Sequence, residues 1–131
     1  MNKQQIFDTV VKHLATQKVA SVTNRNIIMD DEVITVSVCA YRGLNGTKCA
    51  VGCLIKDEDY SLFMETVPVN RLVNDNKLPA YLLRHVDFLR SLQLAHDTAQ
   101  DRQDISFMLK EIAKMHDLDD ATVELITQWI R

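Results

Sequence analysis

Three glycines and two prolines in 131 residues leave few places where this backbone can turn in ways that a side chain forbids. All three glycines lie between Gly43 and Gly52, so one short stretch holds most of that freedom, and none of them forms a phosphate-cradling loop. Cysteine is scarce as well. Three thiols, an odd number, exclude a disulfide framework and point to free cysteines in a reducing compartment. No run approaches the roughly 18 apolar residues of a membrane span. The first residues lead straight into an amphipathic pattern, so no signal peptide is expected and the cytoplasm is the expected location. There is no basic excess: 15 Lys and Arg stand against 18 Asp and Glu, a formal charge of −3. The two signs are interspersed, which argues against nucleic acid as the main partner.

What remains is enough for a core. With 47% hydrophobic and 25% charged residues the composition is that of an ordinary globular protein. At this length folding buries roughly two-thirds of the chain's surface, without help from a metal or a cofactor. A single α+β domain over residues 1–131 is expected: a small antiparallel hairpin or sheet packed against four to five helices, with a helical C-terminal half.

Ile6, Phe7, Val10, Val11 and Leu14 recur at three-and-four spacing and predict a helix over 3–17. Residues 18–31 read as a connector with at most a short edge strand at Ile27–Met29. From Glu32 to Arg42 a β-branched run alternates with period two, which predicts a strand. Asn45-Gly46 then signals a two-residue hairpin turn. That turn would pair Arg42 with Cys49 and Ala40 with Val51, placing Cys49, Val51, Val36 and Val38 on one inward face. Cys49–Ile55 is too short for periodicity to separate strand from helix; a return strand ending near Val51, with Gly52 at a close backbone approach, fits best. A short helix over 58–65, one turn over 69–74, a long helix from Leu78 or Pro79 to Thr98, a third over 103–116 and a fourth capped by Asp119 complete the chain.

The residues able to carry chemistry are few. Cys49 and Cys53 with His96 supply the types needed for a thiol nucleophile and its base. Side chains adjacent on a helix diverge by about 100°, so Asp97 is not expected to orient His96. Cys39, Cys49, Cys53 and a histidine of the long helix lack the short knuckle spacing of a zinc site, and buried, hydrophobe-like cysteines are the simpler expectation. Gln93, His96 and Asp97 line one helix edge. If the hairpin packs there, Tyr41, Arg42 and Lys48 join them around a groove suited to a small anionic ligand or a partner's carboxylate, or form a structural network.

Tyr41-Arg42-Gly43, Gly46, Lys48-Cys49-Ala50-Val51-Gly52-Cys53-Leu54-Ile55, Asp57-Glu58 and Tyr60, followed by Leu92-Gln93 and His96-Asp97, resemble a group of small uncharacterised bacterial and bacteriophage proteins. In that group an acid and a glycine follow the tyrosine segment; here Met64-Glu65-Thr66 supplies the acid without the glycine. The resemblance implies a bacterial or phage setting and no reaction. It also implies that the hairpin and the Gln93/His96/Asp97 edge belong together. With no assembled catalytic set, the expected function is non-enzymatic: a binding or inhibitory protein docking onto a host or defence protein. The hairpin tip and the surface around Trp129 are the expected contacts, and Trp129-Ile130 is the expected seam of a homodimer. A small-molecule or nucleotide sensor is the first alternative and a cysteine-dependent enzyme the second.

Overall fold

The computed structural model describes every residue from Met1 to Arg131. Its elements are α1 (Lys3–Gln17), β1 (Val22–Met29), β2 (Glu32–Cys39), α2 (Val69–Asn74), α3 (Val86–Thr98) and α4 (Arg102–Met115), with short 3-10 turns between them. This is an α+β fold in which one two-stranded antiparallel sheet accompanies four helices. No helix is long and apolar enough to cross a membrane.

α1 follows its sequence pattern closely. The five residues of its apolar stripe are all buried, and Asn2 and Gln5 form a capping box at its start with two 2.8 Å bonds. It packs on the Gly52–Leu54 turn and on the 121–125 segment, while α2 and α4 flank α3. The core between them holds Phe7, Leu14, Cys49, Leu72, Phe88, Leu92, Leu109 and Ile126.

The sheet departs from expectation. β2 pairs with β1, from Val22 opposite Cys39 to Met29 opposite Glu32, and not with the segment after Asn45. The turn is Asp30-Asp31, with both φ values positive (52° and 64°), as a two-residue primed turn requires. Asn24-Arg25-Asn26 hides β1 from any apolar pattern, because both faces of this ribbon meet solvent and no alternation is needed there. Ile28 is 79% and Val33 70% exposed. Val36 and Val38, expected inside, are only half-buried.

A reversal does occur at Asn45-Gly46, but in another register. Leu44–Gly46 form a 3-10 turn, and Arg42 lies opposite Lys48, one residue away from the expected Cys49. Past Cys49 the chain coils instead of extending: Cys53 N–H donates to the Cys49 carbonyl at 3.0 Å and a 3-10 turn spans Gly52–Leu54. Gly52 is needed there, since a Cβ would stand 2.1 Å from the Tyr41 carbonyl oxygen. The helix expected over 58–65 is two separate 3-10 turns, broken where Ser61 extends and caps Phe63. The long helix begins in 3-10 form over Ala80–His85 before α3 proper. The expected fourth helix is a 3-10 turn over Ala121–Leu125, after which the tail extends and bridges Val19 and Asp101 through Ile130. That extension turns Trp129 inward, to 4% exposure, so it is not a surface contact.

Candidate functional site

α3 presents Asp87, Arg90, Leu94 and Asp97 at helical spacing along one wall of a cleft of about 650 Å³. The stripe is about 15 Å long. The opposite wall is Thr66–Asn70, and Cys39, Ala40 and Tyr41 close one side at the foot of β2. Of the six binding residues expected from sequence, Tyr41, Gln93 and Asp97 line this cleft. His96 lies beneath it, fully buried.

His96 and Asp97 are in contact, contrary to the divergence expected of neighbours on a helix. Nδ1, bonded to Cγ, is the ring nitrogen nearer the backbone, and it reaches Asp97 Oδ1 at 2.7 Å. The same oxygen accepts from Gln93 Nε2 at 2.7 Å, and Gln93 Oε1 accepts the Val51 N–H at 3.1 Å. On the far side of the ring the Ser21 N–H donates to Nε2 at 2.9 Å. A backbone N–H can only donate, so Nε2 carries a lone pair and the neutral ring carries its proton on Nδ1. Trp129 meets the ring edge-on, 5.6 Å between centroids. The chain Gln93–Asp97–His96–Ser21 thus ties α3 to the foot of the sheet and to the 49–53 coil.

This fixes what the cluster can do. Cys39 Sγ, His96 and Asp97 offer ligand atoms within 4.8 Å of one another, the one such group in the molecule. A metal at Nδ1 would need the lone pair that the proton occupies, and moving the proton to Nε2 would set it against the Ser21 N–H. The donor set does not fit an ion without breaking that bond. For the same reason His96 has no free nitrogen to act as a base.

The thiols are not activated. Burial pushes the Cys49 pKa far up, and Cys49 Sγ accepts the Gly52 N–H at 3.2 Å. Burial raises Cys53 to about 12, and its thiol donates to the Ala50 carbonyl at 3.1 Å. Cys39 is raised by burial and then by Asp97. Neither Cys49 nor Cys53 bonds a histidine, so the types noted in the sequence are not assembled as nucleophile and base.

Arg42 and Lys48 lie elsewhere. The Arg42 guanidinium pairs with Asp57 at 2.6 Å, donates to the Ile55 carbonyl at 2.8 Å and stacks 4.5 Å over the Tyr60 ring. Its charge is spent inside the molecule. Lys48 Nζ is 3.9 Å from the same Asp57. The resemblance marked Glu65 as the acid after the tyrosine segment, and the structure gives it a bracing role. Its carboxylate accepts the Tyr41 N–H at 2.9 Å, the Arg42 N–H at 3.1 Å and the Tyr60 hydroxyl, bracing the chain where it leaves β2. Arg90, not among the residues expected at the site, is the one cation lining the cleft, and it makes no ion pair. No protein-family model matches this chain, and neither the curated proteins nor the solved structures contain a match to it.

Proposed function

We propose that this is a non-enzymatic binding protein that docks onto another protein through the β1–β2 ribbon. The observation that carries it is the ribbon itself: its sixteen strand residues pack mainly on each other, Val22 at its foot joins the hydrophobic core, and Ile28, Met29, Val33 and Ile34 are exposed near its tip. A two-stranded ribbon is marginal in water without a covered face. Exposed apolar surface of this kind marks an interaction site. The bacterial or phage resemblance supports a host or defence protein as the target, with inhibition as the outcome of docking. A photo-crosslinking side chain in place of Val33, in bacterial lysate, is expected to give one dominant adduct with a different protein. The same group at exposed Glu111 on α4 should not give it. Equal adducts at both positions, or none at Val33, refute the proposal.

A second reading, a small-molecule sensor, is favoured by the cleft. Arg90 lies there beside Asp87 and Asp97, so its ligand carries groups of both signs. Nucleotides and amino-acid-like metabolites at millimolar concentration should raise the melting temperature, and Arg90→Ala should abolish the rise.

A further inference from the structure

β2 bonds to β1 through alternate residues only. Ile34, Val36, Val38 and Ala40 form the narrow pairs with Ile27, Arg25, Thr23 and Ser21, and the last is marked by Ala40 N–H donating to the Ser21 carbonyl at 3.1 Å. The N–H and C=O groups of Val33, Thr35, Ser37 and Cys39 therefore point away from β1. Along this free edge the first N–H to find a partner is that of Tyr41, on Glu65. Just before it, at Cys39 and Ala40, the edge opens into the cleft. Nothing blunts it: residues 33–39 carry no charge and no proline. The other edge carries Asn24, Arg25 and Asn26.

We propose that β2 pairs antiparallel with β2 of a second copy about a two-fold axis, so that each ribbon tip seats in the other copy's cleft. Edge residues must bond edge residues, and of the registers this allows the two with the longest overlap set Val33 opposite Ser37 or Cys39 of the second copy. In both registers the incoming Asp30-Asp31 turn arrives alongside Cys39–Arg42. There the Arg131 guanidinium stands 3.6 Å from Cys39 Sγ without an acidic partner, and Arg90 lines the cleft unpaired. Asp97, which accepts from Gln93 and His96, and Asp87 line the same cleft, so the incoming turn is placed against Arg131 and Arg90 and away from these two carboxylates.

The areas point the same way. An eight-residue edge is about 27 Å long and about 10 Å deep, so edge pairing alone covers about 500 Å² over both copies. A specific interface needs about 1,000 Å². The exposed Ile28, Met29, Val33 and Ile34 behind each tip, seated in the other copy's cleft, must supply the rest, which a strand on the edge alone would not. The second copy is favoured over a foreign strand because it brings both the uncharged edge and an acidic turn to an arginine-bearing foot. This shares with the proposed function the premise that the ribbon is a contact surface, and differs in naming the occupant.

Sedimentation equilibrium tests it. The wild-type chain is expected to be dimeric at about 50 µM. Ser37→Pro removes an outward N–H that bonds nothing within the chain, so the fold should keep its circular dichroism while the dimer weakens at least about tenfold. Ser37→Lys, which leaves the backbone intact, should do the same and decides the matter if the proline variant fails to fold. Arg131→Glu should weaken the dimer, and Asp30→Asn with Asp31→Asn should weaken it without disturbing the turn. A wild-type monomer at about 200 µM overturns the proposal, as does a dimer indifferent to both Ser37 variants. A monomer that still cross-links through position 33 to another protein removes this proposal and keeps the docking function. A dimer with no foreign adduct does the reverse.

Discussion

Replacing His96 with leucine isolates the interaction that ties α3 to the sheet. The side chain is wholly buried, so each lost contact counts. The Ser21 N–H would be left in the core without an acceptor, at a cost of about 1–3 kcal/mol. Asp97 would lose a charge-assisted bond, but its side chain is 33% exposed and water replaces part of that donor, so about 1 kcal/mol is the reasonable share. The edge-on contact with Trp129 contributes a further 0.5–1.5 kcal/mol, roughly. Leucine's greater apolar burial offsets about 1–2 kcal/mol of this. The net loss is about 2–3 kcal/mol, equivalent to a melting temperature lowered by about 6–12 °C. Chemical denaturation of wild type and His96→Leu measures it, and a nitrogen–proton correlation of the wild-type ring should show the proton on Nδ1. A loss below about 0.5 kcal/mol, or a proton on Nε2, would refute the reasoning.

Other positions give equally definite expectations. Gly52→Ala forces a methyl into the Tyr41 carbonyl, where only backbone can yield, and should cost at least about 3 kcal/mol in a denaturation midpoint; a near-neutral result would mean the 49–53 coil is misplaced. Ser21 Oγ is buried with no partner, so Ser21→Ala should be neutral or stabilising by up to about 1 kcal/mol, and a clear loss of stability would contradict that. Thr66 is β-branched at φ 64°, so Thr66→Gly should raise the melting temperature. Burial lowers the pKa of His13, and burial with the Lys3 ammonium lowers that of His116, from the ordinary 6.5. The unfolded chain then takes up protons below about pH 6.5 that the folded chain refuses, so stability falls as pH drops from about 7.5 to about 5.5. His13→Gln, which can still donate to the Lys48 carbonyl, should flatten that fall, and an unchanged slope would exclude His13 as a cause.

The helices that bury one continuous stripe were legible in the residues, and α1 is the plainest case. β2 was legible because β-branched residues alternate in it. β1 was not: a strand wet on both faces has no reason to alternate, and Asn24-Arg25-Asn26 looks like loop. Its turn was hidden too, since Asp-Asp adopts the left-handed region less readily than the Asn-Gly fifteen residues later. That later pair does reverse the chain, but the need to bury Cys49, Ala50 and Val51 as a coil moved its register. Trp129 lies inside and not on the surface because an extended tail, bonded at Ile130, takes the place of a helix. At the candidate site, Tyr41, Gln93 and Asp97 were visible as polar groups on predicted edges. Arg90 was not, and Glu65 was visible only as the acid of the resemblance, because the roles of both depend on which segment lies opposite them. Helix angles alone predict no His96–Asp97 contact, because they leave out the reach of Nδ1 toward its own backbone.

Residue-resolved amide exchange along β2 in dilute solution tests the ribbon most directly. The outward amides of Val33, Thr35, Ser37 and Cys39 should exchange quickly, while the inward ones of Ile34, Val36, Val38 and Ala40 are protected, one residue in two. Uniform protection that persists on dilution below the dimer's range would mean that another part of the chain covers the edge, and protection of the outward amides that is lost on dilution would mean that a second copy does. Uniformly fast exchange would mean that no paired ribbon stands there.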